Sequence, residues 1–389
     1  MPEIKILGGG MAGLTAAYLL EQQQLPYQLH EASAHWGGKL QTTHVAGFAL
    51  DHGFQVIQSA YPALREFKKA GMFNDAQAFG SGAWLLTASG KTLLADPTKH
   101  FPKGLGAIFH PDIKMSDALS VVKLRSKLLS AGPENFFQGG ALTTQQFLLQ
   151  SGFSESFIES FFRPFFTGIL LEEALASPHS MFQFVFWALA KGPAWLMPGG
   201  VQTLPNRIVS TLNPSRIFLN SEPMPNHQEG LSFKSTTVVY FSIDTDAGLG
   251  KFIALNASRM GRVNLLAVPS AVQAGYAPKG KHLLAVSLKP SFSGKVDVHE
   301  AKNEILTEVE NLLQQPLNAQ FIQSIEVKKA LPNNTPYRYG YDDSLDGIEV
   351  ERELNTDNSA FYAGASIANP SLNAAILSGI SFVKRVKSR

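Results

Sequence analysis

Six residues near the N-terminus, Gly8-Gly9-Gly10-Met11-Ala12-Gly13, constrain this chain more than any other feature. They follow an extended apolar run, Ile4-Lys5-Ile6-Leu7, and open a helical apolar run through Leu20. A second extended run, Tyr27-Gln28-Leu29-His30, then ends at an acid, Glu31. The order is strand, glycine turn, helix, strand and acid, the first half of a dinucleotide-binding unit. Gly8 permits the tight turn, Gly10 lets a pyrophosphate approach the backbone, and Gly13 lets helix and strand pack closely. Met11, Ala12 and Gly13 form the helix N-terminus, whose N–H groups and positive dipole end suit phosphates. Glu31 lies 18 residues past Gly13, near the ~20 of a ribose-binding acid. A carboxylate there accepts hydrogen bonds from ribose hydroxyls and repels a 2′-phosphate, which argues against NADP. A chance glycine-rich turn would need neither the flanking strand and helix nor the acid.

The length, 389 residues, exceeds one ordinary core and points to two domains. A net charge of +2 creates no field that would favour nucleic acid. Absence of cysteine excludes disulfides, thiolate catalysis and cysteine-ligated metals. The first strand begins at residue 4, which leaves no room for a signal peptide and implies a cytoplasmic protein. No uncharged apolar run of ~18 residues suggests a membrane span. Lys384, Arg385, Lys387 and Arg389 make a small basic tail. Its first reading is complementarity to a helix C-terminus, and peripheral membrane contact is the lesser one.

After Glu31 and Ala32 the chain reaches Gly37-Gly38-Lys39-Leu40, and later Gly47-Phe48-Ala49-Leu50-Asp51-His52-Gly53-Phe54-Gln55. Near the C-terminus it reads Phe361-Tyr362-Ala363-Gly364-Ala365, then Asn369-Pro370-Ser371-Leu372-Asn373-Ala374-Ala375, opening an apolar helix to about Val386. Together these segments resemble the FAD-dependent oxidoreductases of the flavin amine oxidase, phytoene desaturase and protoporphyrinogen oxidase superfamily. The resemblance implies FAD as cofactor, with Ala32 and Leu40 among the residues that bind it. It places Gly37, Gly38 and Lys39 beside the pyrophosphate and flavin, where the family more often has Arg than Lys. It brings Gly53, Phe54 and Gln55 close to the flavin ring. It aims the helix N-terminus at Ser371, Leu372, Asn373 and Ala374 toward the pyrimidine side, where its N–H groups favour negative charge on reduced flavin. Two departures stand out. The family's Gly-Asp is Gly364-Ala365 here, which removes a polar partner of the ribityl chain. Arg216–Asn220 supplies one strand near the adenine, but Ser221–Gly230 then runs directly into Ser235–Ile243, and a returning strand is missing.

The middle of the chain differs in composition. Residues 136–187 hold twelve of the 27 phenylalanines. Phe153, Phe157 and Phe161 recur every fourth residue and line one helix face. They read either as a helical core or as the wall of an apolar pocket. Arg163 reads as an ion-pair partner of Glu159 one turn earlier, with a substrate carboxylate or flavin edge as the sharper alternative. Thr236–Ile243, Phe252–Leu255, Val263–Val268, His282–Leu288 and Phe321–Val327 read as strands, and His299–Gln315 as an amphipathic helix ended by Pro316. Residues 342–357 read as a solvated loop. Tyr337, Tyr339 and Tyr341 share one side of an extended segment. No nucleophile or acid–base set emerges, so no catalytic residue is assigned; His52 and Gln55 lie nearest the expected flavin. His30 and Glu31 point to opposite faces of their strand, and no metal site is expected.

These readings give an α/β chain, α+β overall. A Rossmann-like FAD-binding domain (1–60, 190–235 and 340–389) carries an inserted substrate domain of antiparallel sheet plus helices (61–189 and 236–339). The implied activity is hydride removal from an apolar or aromatic small molecule (amine, isoprenoid or porphyrin-like) to flavin N5. The alternatives are a flavin-free, degenerate member acting as a scaffold, motivated by Ala365 and the shortened 216–235 region, and an NAD enzyme. The residues single out no electron acceptor and no oligomeric state.

Overall fold

A computed structural model describes residues 4–95, 114–138, 142–221, 232–333 and 369–388. Ile4–Leu7 and Tyr27–His30 pair in parallel, and Ile217–Phe218 pairs in parallel on the other side of Tyr27–His30. The helix Met11–Gln22 joins the first two strands, burying Leu14, Ala17 and Leu20. The C-terminal helix Leu372–Ser388 crosses it at Gly379, where a Cβ would stand 2.4 Å from the Ala12 carbonyl oxygen. A glycine inside a helix costs about 1 kcal/mol; here it permits a backbone-to-backbone crossing. Among the described residues this sheet has three strands. The helix Thr203–Val209 closes the same core with Leu204 and Ile208.

A larger sheet runs in the order Ala319–Pro332, Phe233–Ile243, His282–Leu288, Val263–Ala267, Ile253–Asn256, Gly82–Thr87 and Gly90–Ala95. Neighbours are antiparallel except Ile253–Asn256, which runs parallel to Gly82–Thr87. The helix Val298–Leu313 covers one face with Ile305, Val309 and Leu312. Its first turn is capped by Asp297, whose carboxylate accepts from His299 N and Glu300 N. The last strand is longer than its apolar pattern, Phe321–Val327, because the partner strand Phe233–Ile243 pairs with it as far as Pro332. Backbone pairing, not side-chain alternation, sets its length.

The phenylalanine-rich segment forms helices over Thr144–Gln150, Arg163–Leu170 and His179–Lys191. A π-type turn occupies Ile158–Phe162. Phe153, Phe157, Phe161 and Phe165 form a ladder of stacked rings, with centroids 5.8, 5.5 and 5.8 Å apart. In a regular α-helix a four-residue repeat drifts around the axis, since 3.6 residues complete a turn; the wider π-type turn offsets that drift. Among the described residues, no helix is long and apolar enough to cross a membrane.

Candidate functional site

One cavity of about 1370 Å³ joins the small sheet, the large sheet and the phenylalanine helices. It exceeds the ~300–1,000 Å³ of an ordinary small-molecule pocket. Gly8, Gly10, Met11, Ala12, Gly13, Glu31, Gly37, Gly38, Lys39 and Leu40 form one end. His52, Gly53, Phe54 and Gln55 border its middle, with Ser371 and Leu372 of the C-terminal helix also in the wall. Phe157, Phe161, Phe165, Phe166 and Phe186 line the other end.

The glycine end is built from backbone. Gly8 turns at φ +103°. A Cβ on Gly13 would stand 2.0 Å from the Gly8 carbonyl oxygen, so the turn and helix close only around glycine. The second glycine pair docks on the first: Gly37 N donates to Gly9 O at 2.8 Å, and a Cβ on Gly38 would meet Gly10 Cα at 3.1 Å. Gly10 is different. Its dihedrals, φ −73° and ψ 177°, suit any residue, and the nearest atom to an added Cβ is 3.9 Å away. Neither strain nor packing within the protein calls for glycine there, whereas a ligand pressed against the backbone would.

The helix Met11–Gln22 starts without a side-chain cap. The helices beginning at Thr144, Val298 and Leu372 have one, from Thr143, Asp297 and Ser371, while those beginning at His179 and Thr203 also lack one, with neither residue in the cavity wall. First-turn N–H groups have no intrahelical partner, and here they border the cavity, which fits an anion. Glu31 stands beside the turn, its carboxylate accepting from Gly9 N at 2.6 Å and Ser33 N at 2.8 Å.

The middle of the cavity is held by cross-links between distant segments. Lys39 Nζ donates to Ala330 O at 2.9 Å, tying the second glycine turn to the last strand of the large sheet. Burial lowers the Lys39 pKa. Gln55 Nε2 donates to Lys39 O and His52 O. His52 Nε2 lies 2.8 Å from Thr43 Oγ1, and its pKa is lowered by burial and then by His35.

Beneath this turn, Asp51 is buried at the end of the hairpin Thr42–Val45/Phe48–Asp51. Its carboxylate accepts from Thr42 Oγ1 (2.6 Å), Val201 N (2.9 Å) and Tyr276 Oη (2.6 Å), and its carbonyl accepts from Tyr240 Oη (2.6 Å). Burial pushes the carboxyl up to about 6 against the opposing pull of these donors. Asp51 therefore positions the His52–Gln55 turn, a role the sequence reading missed. Its motif carried no sign of partners as remote as Tyr240 and Tyr276.

At the apolar end both readings of the phenylalanines hold. Phe162, Phe182 and Phe184 are fully buried in the helical core and outside the cavity wall. Phe161, Phe165 and Phe186 are partly buried and border the cavity, and Phe157 and Phe166 do both, buried in the core while touching the cavity. Arg163 takes its structural role. Nε and Nη2 grip Glu159 at 2.7 and 2.6 Å, and the residue is outside the cavity wall.

Three expected cofactor contacts, Ala32, Asn373 and Ala374, are also outside that wall. Asn373 is buried, with Oδ1 accepting from Ala63 N, and Ala374 N donates to the capping Ser371 Oγ. Gly364, Ala365, the 361–363 run, the three tyrosines at 337–341, the 342–357 loop and most of Ser221–Gly230 lie outside the described residues. No cluster of potential metal ligands occurs among the described residues.

Residues 11–224, more than half of the chain, match the sequence profile of flavin-containing amine oxidoreductases. No curated protein sequence matches. Solved structures share the fold over nearly the whole chain. A protein described as a protoporphyrinogen oxidase from Exiguobacterium sp. 255-15 is 16% identical with a TM-score of 0.69, covering 99% of this chain and 98% of that one. Putrescine oxidase bound to putrescine is 14% identical with a TM-score of 0.64, at 100% and 99% coverage. A fatty acid isomerase from P. acnes that produces CLA is 18% identical with a TM-score of 0.64, at 98% of each chain.

Proposed function

The chain belongs to the flavin-containing amine oxidoreductase family and is an FAD-dependent oxidoreductase acting on a small molecule; from that premise we propose that it removes a hydride from an apolar or aromatic substrate, an amine, isoprenoid or porphyrin-like compound. The observation that carries this reading is the continuity of the cavity. One end is a glycine-built, uncapped helix terminus and the other a wall of phenylalanine rings.

Bound FAD supplies a two-electron acceptor at N5 of its ring. The protein's own residues hold and shield it. The turn Gly8–Gly13 and the N–H groups of Met11, Ala12 and Gly13 would receive the pyrophosphate, with Gly37 and Gly38 closing over it. Glu31 would accept from ribose hydroxyls, exchanging its present backbone donors. Lys39, Gly53, Phe54 and Gln55 would border the ring, and the helix start at Ser371 and Leu372 would add its dipole to that side. The phenylalanine wall would exclude water and orient the substrate. The division into an FAD-binding domain (1–60, 190–235, 340–389) and a substrate domain (61–189, 236–339) is part of the same proposal. The two sheets support it, since the small one borders the glycine turns and the large one borders the middle of the cavity.

The purified protein is expected to be yellow and to release FAD on denaturation. Anaerobic titration with apolar amines and polyenes should bleach the flavin bands. A bound flavin that no apolar or aromatic compound bleaches would refute the substrate class, and a colourless protein that fails to take up added FAD would refute the site.

A further inference from the structure

The helix Met115–Ala131 has two apolar faces. Leu124 and Leu128 are buried against the phenylalanine core. On the opposite side Met115, Leu119, Val122 and Leu129 are 65, 65, 66 and 37% exposed. Their spacing places them on one stripe. Charges flank the stripe, and all those exposed on this helix are positive: Lys123 and Lys127 on one side and Arg125 on the other. The helix's one acid, Asp117, is fully buried, and its carboxylate accepts from Lys114 N, Ser154 N and Ser154 Oγ. It contributes nothing to the outward face.

We propose that this face docks the protein on an anionic phospholipid bilayer. An apolar stripe with cationic flanks is the pattern of a helix lying in the membrane interface, where apolar side chains enter the acyl boundary and cations meet the headgroups. A second copy of the chain fits the face less well, because a symmetric contact would bring its cationic flanks toward one another. The helix also lines the cavity through Met115, Ala118, Val121, Val122 and Arg125, at the end walled by phenylalanine. Docking would therefore set the apolar end of the cavity against the lipid, giving a membrane-dissolved substrate a route that avoids water. Only this last consequence rests on the proposed substrate class; the docking rests on the helix itself.

The chain has no cysteine, so Leu119→Cys in the FAD-loaded full chain accepts a single polarity-sensitive dye. Vesicles of two parts phosphatidylcholine to one part phosphatidylglycerol should shift its emission to the blue and sediment the protein. Pure phosphatidylcholine vesicles should do so much less. Lys123→Gln with Lys127→Gln, both outside the cavity wall, should weaken binding to the mixed vesicles roughly thirtyfold, at about 1 kcal/mol per charge. Leu119→Ser with Leu129→Ser should weaken it at least roughly tenfold on apolar grounds. Absence of a blue shift with mixed vesicles overturns the proposal. So does a shift that appears on concentrating the protein without lipid, which would mark self-association, or vesicle binding that both double variants leave unchanged. Because no substrate enters this assay, failure to bleach the flavin and failure to bind vesicles remain separate results.

Discussion

The two ends of the cavity are made of different material. The glycine end is a backbone surface, shaped by side chains that are absent. The phenylalanine end is a side-chain surface, shaped by which rings face inward and which face the core. A backbone surface tolerates no added atom at its tight points, and removal is not an option. A side-chain surface is sensitive to removal, and the penalty depends on whether a given ring faces core or cavity. Substitutions can break or sharpen this contrast.

The largest effect is expected at Phe162. Its ring is fully buried and packs edge-on against Phe153, Phe157 and Phe182 at 4.9, 5.3 and 5.5 Å. Phe162→Ala should cost about 3–5 kcal/mol in urea unfolding, the range for emptying a core aromatic site. The same truncation at Phe161, which borders the cavity, should cost less stability and act on substrate KM. Equal stability losses at both positions would erase the distinction between core and wall.

Next comes Gly13. An added Cβ would meet the Gly8 carbonyl oxygen at 2.0 Å and Ile6 Cγ2 at 3.3 Å. The nearer atom is backbone and yields only if the turn opens. Gly13→Ala should destabilise the flavin-free protein by about 3 kcal/mol, the upper part of the range for overpacking. An unchanged unfolding midpoint would show that the turn has slack.

The contrast also explains what could be read before the fold was known. Gly8, Gly10, Gly13 and Glu31 are a spacing within one continuous segment, so sequence alone carries them, and the strands Ile4–Leu7 and Tyr27–His30 appear where that spacing requires. His282–Leu288 matches the sequence reading at both ends because its buried stretch is an almost continuous apolar run, Leu283–Val286 and Leu288, broken only by Ser287. The phenylalanines were legible as a helix face. The split into core and wall was not, since it depends on a π-type turn and on a sheet contributed from other parts of the chain. Asp51 was the least legible. Its four donors come from residues 42, 201, 240 and 276, and no local pattern announces a carboxylate whose partners are assembled by tertiary packing.

Asp51 gives a prediction in pH. Its carboxyl rises from an ordinary 3.8 to about 6 in the folded protein. Between those values the folded state binds more protons than the unfolded state, so stability falls as pH rises through the window and is level above it. Two units correspond to up to about 3 kcal/mol. Unfolding free energies measured at pH 4 and pH 7 should differ by up to that amount more in the wild type than in Asp51→Asn, which cannot ionise. An identical pH difference in both proteins would mean that the carboxyl titrates normally in its buried site. The Asn variant tests positioning separately, because a displaced His52–Gln55 turn should alter the flavin absorbance.

Gly10→Ala should have the smallest effect on the protein and the most specific effect on the ligand. The dihedrals accept alanine, and an added Cβ finds no atom closer than 3.9 Å. Loss of a good helix-capping residue and reduced freedom of the unfolded chain oppose one another, so the flavin-free variant should stay within about 1 kcal/mol of wild type. Yet Gly10 is in the cavity wall beside the uncapped helix start, and a methyl group there would stand where the pyrophosphate is proposed to rest. FAD affinity should fall roughly tenfold to a hundredfold, about 1.4–2.8 kcal/mol. Equilibrium dialysis of the stripped protein with FAD measures this directly. Gly13 and Gly10 would then separate two reasons for glycine in one short turn: Gly13 closes the fold, and Gly10 leaves room for what the fold binds. If Gly10→Ala instead destabilised the empty protein and bound FAD normally, both glycines would serve packing, and the pyrophosphate would have to be placed elsewhere along the cavity.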